Sequence, residues 1–256
     1  MNPYLKSSLL ALAYLVFICS CKKNDTVQNN GTPDKVKKYT EIVKNFSTIS
    51  GDTFNVSYDN QNRLTGLISP TTGNQFIYTY TGNTSYVLEI KNGAHVVIHS
   101  VYYLNANLLV DSSFQYNDTN DSTTMKFVYN ATKQLTEQRT YDYSLPAGAV
   151  LFRKNNYTYD VDGNLFKDTE TGSTGSTNSI KTYTYTNYTS SIFSLATIYL
   201  PQLYRKLPLQ TSLYYPFSNT TVVSDFTYVF DAQNRVTNQT ETNGAGNYAK
   251  KLFEYY

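Results

Sequence analysis

The sequence is poor in several residue types, and each shortage narrows what the protein can be. Its 256 residues include 2 cysteines and no tryptophan. Both cysteines, Cys19 and Cys21, lie close to the N-terminus, so the rest of the chain has no thiol for a disulfide, a zinc site or nucleophilic catalysis. The body of the protein therefore has to be stabilised by burial of side chains and not by cross-links.

The chain also lacks an excess of charge of either sign. It has 21 lysines and arginines against 19 aspartates and glutamates, and its formal net charge is +2. A protein that binds nucleic acid or a membrane through electrostatics alone shows a basic excess or a basic run. The sequence predicts no nucleic-acid partner.

Familiar catalytic motifs are missing as well. No Gly-x-Ser-x-Gly, Walker-type Gly-Lys-Ser/Thr or His-Glu-x-x-His segment occurs, and these motifs mark common hydrolase, nucleotide-binding and metalloprotease sites. We expect no catalytic residue and no cofactor. Because acids that are distant in sequence can meet in space, a hydrolase with paired carboxylates remains the alternative.

The chain is rich in residue types that favour β-strands. It contains 26 tyrosines and 13 phenylalanines, among many threonines, asparagines and serines. Aromatic and β-branched residues favour strands, while asparagine, serine and glycine favour turns. This composition predicts an all-β protein with little helix.

One short pattern recurs along the chain. It consists of two aromatic or apolar residues in alternation, an Asp or Asn, a few polar residues and a Leu or Val. The four copies are Phe54–Leu64, Phe127–Leu135, Tyr157–Leu165 and Phe226–Val236. Alternation places the apolar side chains on one face of a strand. Asp or Asn and a residue tolerant of positive φ then reverse the chain, so each copy predicts strand, turn and strand.

These segments resemble the YD repeats of the RHS type, whose consensus is roughly Tyr-Asp-x-x-Gly-Arg-Leu-Thr. The segment Tyr58–Thr65 reads Tyr-Asp-Asn-Gln-Asn-Arg-Leu-Thr. With the N-terminal signal described below, the chain is similar to uncharacterised secreted lipoproteins of Bacteroidetes-type bacteria. The resemblance implies a large antiparallel sheet and carries no activity with it.

Strand-like segments follow one another about every ten residues, with Gly and Asn between them. Short links predict antiparallel neighbours, and so many strands should curl, split into two layers or close into a barrel. We predict strands near 39–49, 53–59, 63–69, 75–81, 85–91, 94–104, 107–116, 122–130, 134–143, 150–160, 164–170, 179–188, 209–215, 221–230, 235–242 and 248–255. A membrane-spanning barrel is not expected, because Thr, Asn, Ser and Lys occupy the predicted outward positions.

One segment departs from the strand rhythm. Residues 190–209 are apolar at 192, 195, 196 and 199, which fits one face of a helix, and they end near Pro201 and Pro208. We predict a short helical or irregular insert that covers the open side of the sheet. An alternative role is a lid over a ligand groove.

The N-terminus carries the most specific signal. Lys6, an apolar run from Leu9 to Ile18 and the segment Ile18-Cys19-Ser20-Cys21 resemble a bacterial lipoprotein leader. Residues 1–20 are therefore predicted to be a signal peptide, 21–38 a flexible tether and 39–256 a single all-β domain. Cys21 is the predicted lipidation site, and several acyl chains would hold the protein on the outer membrane. An uncleaved signal anchor is the alternative.

The remaining ionisable residues do not form a recognisable metal site. His95 and His99 are predicted to share one face of a strand about 13 Å apart, too far to bind one metal ion. The segment Asp160–Asn164 has its glycine in the fourth position, whereas a calcium-binding EF-hand loop needs it in the sixth. We interpret this segment, like the polar turn Asn117–Asp121, as a turn, and we predict no metal.

Together these patterns favour a noncatalytic binding or scaffolding module of the cell envelope. It would be attached to the periplasmic or the cell-surface face of the outer membrane through its lipid. A glycan, a peptide or an envelope protein is the expected partner, bound on the concave face of the sheet, and tyrosines could stack on sugars there. The hydrolase alternative predicts two or more acids converging on that face.

Overall fold

A computed structural model describes residues 35–46, 48–119, 121–143, 148–189 and 206–256. These residues form 16 antiparallel strands in the order of the sequence, and the first strand pairs with the last. The sheet is therefore a closed barrel. The predicted all-β meander, curled or barrel-like, is confirmed, and the curl is complete.

The strands are joined mainly by short turns. None of the described residues lies in a helix. The described part of the chain therefore has no helix that could cross a membrane. The strands are β1 (Val36–Asn45), β2 (Thr48–Tyr58), β3 (Leu64–Ile68), β4 (Asn74–Thr81), β5 (Ser85–Asn92), β6 (His95–Leu104), β7 (Val110–Asn117), β8 (Ser122–Tyr129), β9 (Leu135–Asp142), β10 (Val150–Tyr159), β11 (Leu165–Gly172), β12 (Thr177–Thr189), β13 (Lys206–Tyr215), β14 (Thr220–Phe230), β15 (Val236–Asn243) and β16 (Tyr248–Tyr255).

Each predicted strand corresponds to one of these 16 strands. The β1–β2 turn was predicted too late in the chain: the strands expected at 39–49 and 53–59 are β1, which ends at Asn45, and β2, which begins at Thr48. The insert predicted at 190–209 needs a correction as well. Residues 190–205 lie outside the described part of the chain, but Lys206 to Leu209 belong to β13 and not to a helix. Leu207 is fully buried and belongs to the hydrophobic core.

The four look-alike segments adopt one conformation. In the first, the side chain of Asp59 accepts hydrogen bonds from the backbone amides of Gln61 and Arg63, both at 2.9 Å. Asn62 then takes a φ of 63°, and a bulge sets Tyr58 opposite Leu64. The same bulge occurs where Tyr129, Tyr159 and Phe230 meet their partners.

A fifth hairpin of this kind was not predicted. It joins β6 to β7, with Leu104 opposite Val110 and Asn105 as the residue whose side chain caps the turn. Leu108 takes the positive φ, at 59°. The pattern does not reveal this hairpin, because Leu104 stands where the other copies have an aromatic residue. Leu108 stands where three of them have Asn or Gly, which adopt a positive φ more readily.

Tyrosine hydroxyls link these hairpins around one end of the barrel. Among the described residues, seven tyrosines at the ends of even-numbered strands donate to a backbone carbonyl at the start of the preceding strand. The bonds join Tyr58 to Val36, Tyr80 to Leu64, Tyr129 to Val110, Tyr159 to Leu135, Tyr185 to Leu165, Tyr228 to Pro208 and Tyr255 to Val236. We call this end the tyrosine ring.

The outer wall of the barrel carries charged side chains among exposed aromatic and aliphatic ones. Lys154 lies 3.1 Å from the carboxylate of Glu137, which also contacts Arg139 at 2.6 Å. On β5 and β6, the carboxylate of Glu89 likewise contacts both the ammonium of Lys91 and the imidazole of His99. Strands that face lipid carry a continuous apolar band, and these charged positions interrupt any such band.

Candidate functional site

The inner wall of the barrel has two unlike halves. Strands β2 to β8 contribute large apolar side chains that are almost completely buried and pack together. Their main members are Phe54, Val56, Leu67, Phe76, Tyr78, Tyr86, Leu88, Ile90, Ile98, Tyr102, Met125 and Phe127. This half is a hydrophobic core, and it leaves no polar surface for a ligand.

The other half, on β9 to β12 and β15 to β1, is lined by polar and charged groups. Alternation along the strands places them on the same face as the buried Tyr183, Phe226 and Phe253. They include Gln138, Thr140, Arg153, Asn155, Asp168, Glu170, Lys181, Gln239, Glu241, Lys251 and Glu41. Most are half-buried and not fully enclosed. We call this surface the polar inner wall.

Asp168 lies at the centre of one part of this wall. Strand pairing sets it between Tyr157 of β10 and Lys181 of β12. Its carboxylate accepts a hydrogen bond from the side-chain amide of Asn155 at 3.1 Å. Burial raises the pKa of Asp168, while the Asn155 hydrogen bond and the charge of Lys181 act in the opposite direction.

Glu170 follows Asp168 on the same face, two residues along β11. Its carboxylate lies 3.6 Å from the guanidinium of Arg153. Two acids therefore converge here, and each has a positively charged or hydrogen-bonding neighbour. The charges on this part of the wall are largely balanced.

Tyr183 connects this cluster with strands further round the barrel. Its ring lies 5.3 Å from the ammonium group of Lys181, and the residue is buried opposite Thr211. Burial raises the pKa of its hydroxyl, and the carboxylates of Asp168 and Glu241 raise it further. The Tyr183 side chain is thus near acids from both β11 and β15.

Glu41 forms the other polar centre, where β1 meets β16. It is buried, it faces Lys251 across the strand pair, and its Oε1 atom has no hydrogen-bond partner. Burial raises the pKa of Glu41, and Lys251 and the Tyr39 hydroxyl oppose that rise. A buried carboxylate oxygen without a partner can accept a hydrogen bond from a ligand or a water molecule.

The residues considered from the sequence lie elsewhere. Cys21 is outside the described residues. Asp160 caps its turn by accepting from the backbone amide of Asn164 at 2.8 Å, and Asp162 contacts Lys206 at 2.8 Å. Within the described ranges, no three His, Cys, Asp or Glu side chains group closely enough to hold a metal ion.

The histidines need a correction. His95 pairs with Asn92 and His99 with Glu89, so four residues of β6 face three residues of β5. This bulge turns the two imidazoles to opposite faces, and the prediction that they share a face was wrong. His95 lies 3.4 Å from Asp118, and His99 stacks on Tyr116 with ring centroids 4.8 Å apart.

The polar inner wall itself was not identified residue by residue from the sequence. A usable signal was present in β11 and β12, where Asp168 and Glu170, and Lys181 and Tyr183, alternate with lysine, threonine or isoleucine. Period two indicates a shared face. It cannot indicate which face is inside, and threonine-rich strands of this kind look alike on both sides.

A second concave region lies at the tyrosine ring, outside the polar inner wall. It is a cleft of about 410 Å³ between the β6–β7 and β8–β9 turns. Its lining combines turn residues such as Asn105 and Asn130 with Lys133 and Asp111. The cleft is open to solvent and lacks a buried polar group aimed into it, so we regard the polar inner wall as the candidate site.

The barrel belongs to a fold seen in solved structures from Bacteroides. A porin-like protein from Bacteroides uniformis aligns with a TM-score of 0.61 at 16% identity, over 86% of this chain and 96% of that one. A porin-like protein from Bacteroides vulgatus aligns at 0.59 and 12%, over 86% and 98%. At such identities the likeness shows the fold alone. No protein-family model and no curated protein matches the sequence.

Proposed function

We propose that this protein is a noncatalytic binding module of the bacterial cell envelope, held on the outer membrane by lipid at Cys21. We further propose that it binds an uncharged, hydroxyl-rich ligand such as a short glycan on the polar inner wall. The fold likeness to porin-like proteins of Bacteroides supports an envelope role. The lipoprotein leader in the sequence supports the anchor.

The observation that carries the ligand proposal is the contrast between the two halves of the inner wall. The apolar half is packed shut, while the polar half keeps its side chains half-buried and in contact with solvent. Sites for small ligands combine concave shape with a few convergent polar groups. A polar inner surface whose side chains keep part of their solvent exposure has the character of such a site.

The chemistry of the wall favours a neutral polar ligand. The carboxylates, side-chain amides and hydroxyls of this wall can accept and donate hydrogen bonds, as a hydroxyl-rich ligand requires. Since Arg153 and Lys181 offset Glu170 and Asp168, the wall presents no strong field of one sign. A charged ligand would have to displace one of these partners.

Binding of envelope glycans to the barrel, followed by calorimetry, tests this proposal. Every strand of the described part of the chain lies between Val36 and Tyr255, so residues 35–256 contain all 16 strands of the barrel and can be expressed without the leader. Tyr183→Phe should weaken glycan binding about tenfold while the fold persists, because it removes one buried hydroxyl. Tyr103→Phe, on the exposed outer wall, is the matched control and should bind normally.

The hydrolase alternative has one observation in its favour. Asp168 and Glu170 share a face, and burial raises the pKa of Asp168, as in a carboxyl group that acts as an acid. Incubation of the same glycans with the barrel and chromatography of the products would separate the two functions. Cleavage that is lost in Asp168→Asn would establish the hydrolase; intact glycans would support binding without catalysis.

A further inference from the structure

We propose that the end of the barrel opposite the tyrosine ring carries a docking surface for an anionic lipid bilayer. The surface consists of the tips of three adjacent hairpins, β13–β14, β15–β16 and β1–β2. We call it the distal rim and define it by Phe46, Ile49, Phe217, Lys44 and Lys250. It is separate from the polar inner wall and does not depend on the proposed ligand.

The distal rim exposes large apolar side chains that have no role in the core. Phe46 is 82% exposed and Ile49 62% exposed, and Phe217 is completely exposed. Ile49 pairs with Lys44 and therefore lies on the outer face beside it. The β1–β2 and β15–β16 tips are also joined, because the backbone amide of Phe46 donates to the side chain of Asn247 at 2.6 Å.

The geometry of the β1–β2 turn does not explain why residue 46 is a phenylalanine. Phe46 has a φ of 54°, a left-handed conformation that a bulky residue adopts only at a cost and that Gly or Asn adopts readily. The neighbouring β13–β14 tip uses Asn219 for the same purpose, at 49°. A phenylalanine that is strained and exposed contributes nothing to folding, so an external partner is the better reason for its presence.

Charge on the distal rim has one sign only. None of the residues 42–51, 213–223 and 242–250 is acidic, although the whole chain contains nearly equal numbers of acids and bases. Lys44 and Lys250 lie on the outer face of these hairpins, and the ammonium of Lys44 lies 6.0 Å from the Tyr248 ring. By contrast, the β7–β8 tip at the same end carries Asp118 and Asp121.

Exposed aromatic residues with lysines and no acids fit the interface of a bilayer. Aromatic side chains are favoured at the level of the lipid headgroups, and lysines are attracted to anionic lipids. A protein partner would be expected to meet directional polar groups or a groove at the centre of the patch. The distal rim has separate, protruding side chains, a shape suited to insertion between headgroups.

Vesicle co-sedimentation tests the proposal, with residues 35–256 so that no lipid anchor contributes. The barrel should sediment with phosphatidylglycerol-containing vesicles and much less with pure phosphatidylcholine vesicles. The double variant Phe46→Ser and Phe217→Ser should lower the partition coefficient at least tenfold. Lys44→Gln and Lys250→Gln should each lower it about fivefold on the anionic vesicles alone.

Phe166→Ser provides the matched control, because Phe166 is a similarly exposed phenylalanine on β11, away from the distal rim. Thermal unfolding of each variant checks that the barrel is intact. Normal sedimentation of the Phe166 variant supports the proposal. A barrel that stays in solution with every vesicle, or a rim variant that sediments like the parent, would overturn it.

Discussion

The hydroxyl of Tyr159 donates a hydrogen bond to the backbone carbonyl of Leu135 at 2.8 Å. Tyr159 ends β10 and Leu135 begins β9, so the bond joins the turn after β10 to the turn before β9. The six equivalent tyrosines make the same connection for other strand pairs. At this end of the barrel, side-chain hydrogen bonds therefore connect neighbouring strands in addition to the backbone hydrogen bonds of the sheet.

Tyr159→Phe should destabilise the barrel by about 1 kcal/mol, because it removes one hydrogen bond and leaves a half-buried carbonyl without its donor. Urea unfolding followed by circular dichroism measures the change. Tyr116→Phe removes a hydroxyl on the exposed outer wall and should have almost no effect. Equal losses in both variants would contradict the role of the ring.

Asp59→Ala should also cost about 1 kcal/mol, by analogy with loss of a helix cap. The Asp59 side chain accepts from two backbone amides and contacts the Arg63 guanidinium at 2.7 Å. Arg63 in turn lies 4.2 Å from the Tyr80 ring. Asp59→Asn keeps an oxygen for the amides, so in the same denaturation assay it should recover most of the loss; no recovery would mean that the ion pair dominates.

Glu41→Gln should make the protein more stable at pH 7. Burial raises the pKa of Glu41 above 4.5, so the folded state binds the proton more tightly than the unfolded state. Its favourable contribution is complete below pH 4.5 and is lost as the pH rises through the folded pKa. Glutamine carries no charge, so the gain over the parent in urea unfolding should shrink as the pH falls toward 4.5.

Glu137→Gln should behave in the opposite way and serves as the control. Partial burial alone would raise the pKa of Glu137, but Lys154 and Arg139 outweigh it and the pKa is lowered from 4.5. That contribution is present above pH 4.5 and is lost at lower pH. The variant should be less stable than the parent at pH 7, and the difference should close in acid.

Cys21→Ala should release the full-length protein from the outer membrane. Without acylation at this position, the chain has no covalent lipid, and only the weaker contact proposed for the distal rim remains, which high salt reduces by screening its lysines. Fractionation of cells and detection of the protein in the membrane and soluble fractions measure the effect. Ser20→Ala, which keeps the cysteine and a small residue before it, is the matched control and should remain membrane-bound; retention of Cys21→Ala in the membrane fraction after a high-salt wash would contradict the anchor.

The recurring hairpins show which parts of the fold can be predicted from a few consecutive residues. Alternating rings before Asp59 or Asp231, and Asn62 or Asn234 after it, predict strand, turn and strand, and the structure has them. The contact of Arg63 with Tyr80 also gives a reason for the order of Tyr, Asp, Arg and Leu in this pattern: the arginine lies between the aspartate of its own turn and the tyrosine of the next hairpin. The two strands of the Leu104–Val110 hairpin were predicted, but its likeness to the recurring turn was not recognised, because Leu108 is a residue type that seldom adopts a positive φ.

The candidate site was less accessible to prediction. Asp168, Lys181 and Glu241 come from three separate strands, and each is unremarkable in its own segment. The histidines show a related limit, since one extra residue in β6 moved His95 to the other face. Such bulges depend on how two strands align, which neither strand encodes alone.

The sequence by itself determined the number of strands, their order and most of their turns, because period-two alternation and the side chains that reverse a chain act over a few residues. Only the tertiary structure decided that β1 closes on β16, which half of the inner wall is packed, and which acids meet there. Those outcomes depend on the register and tilt accumulated around 16 strands. No short segment carries that information.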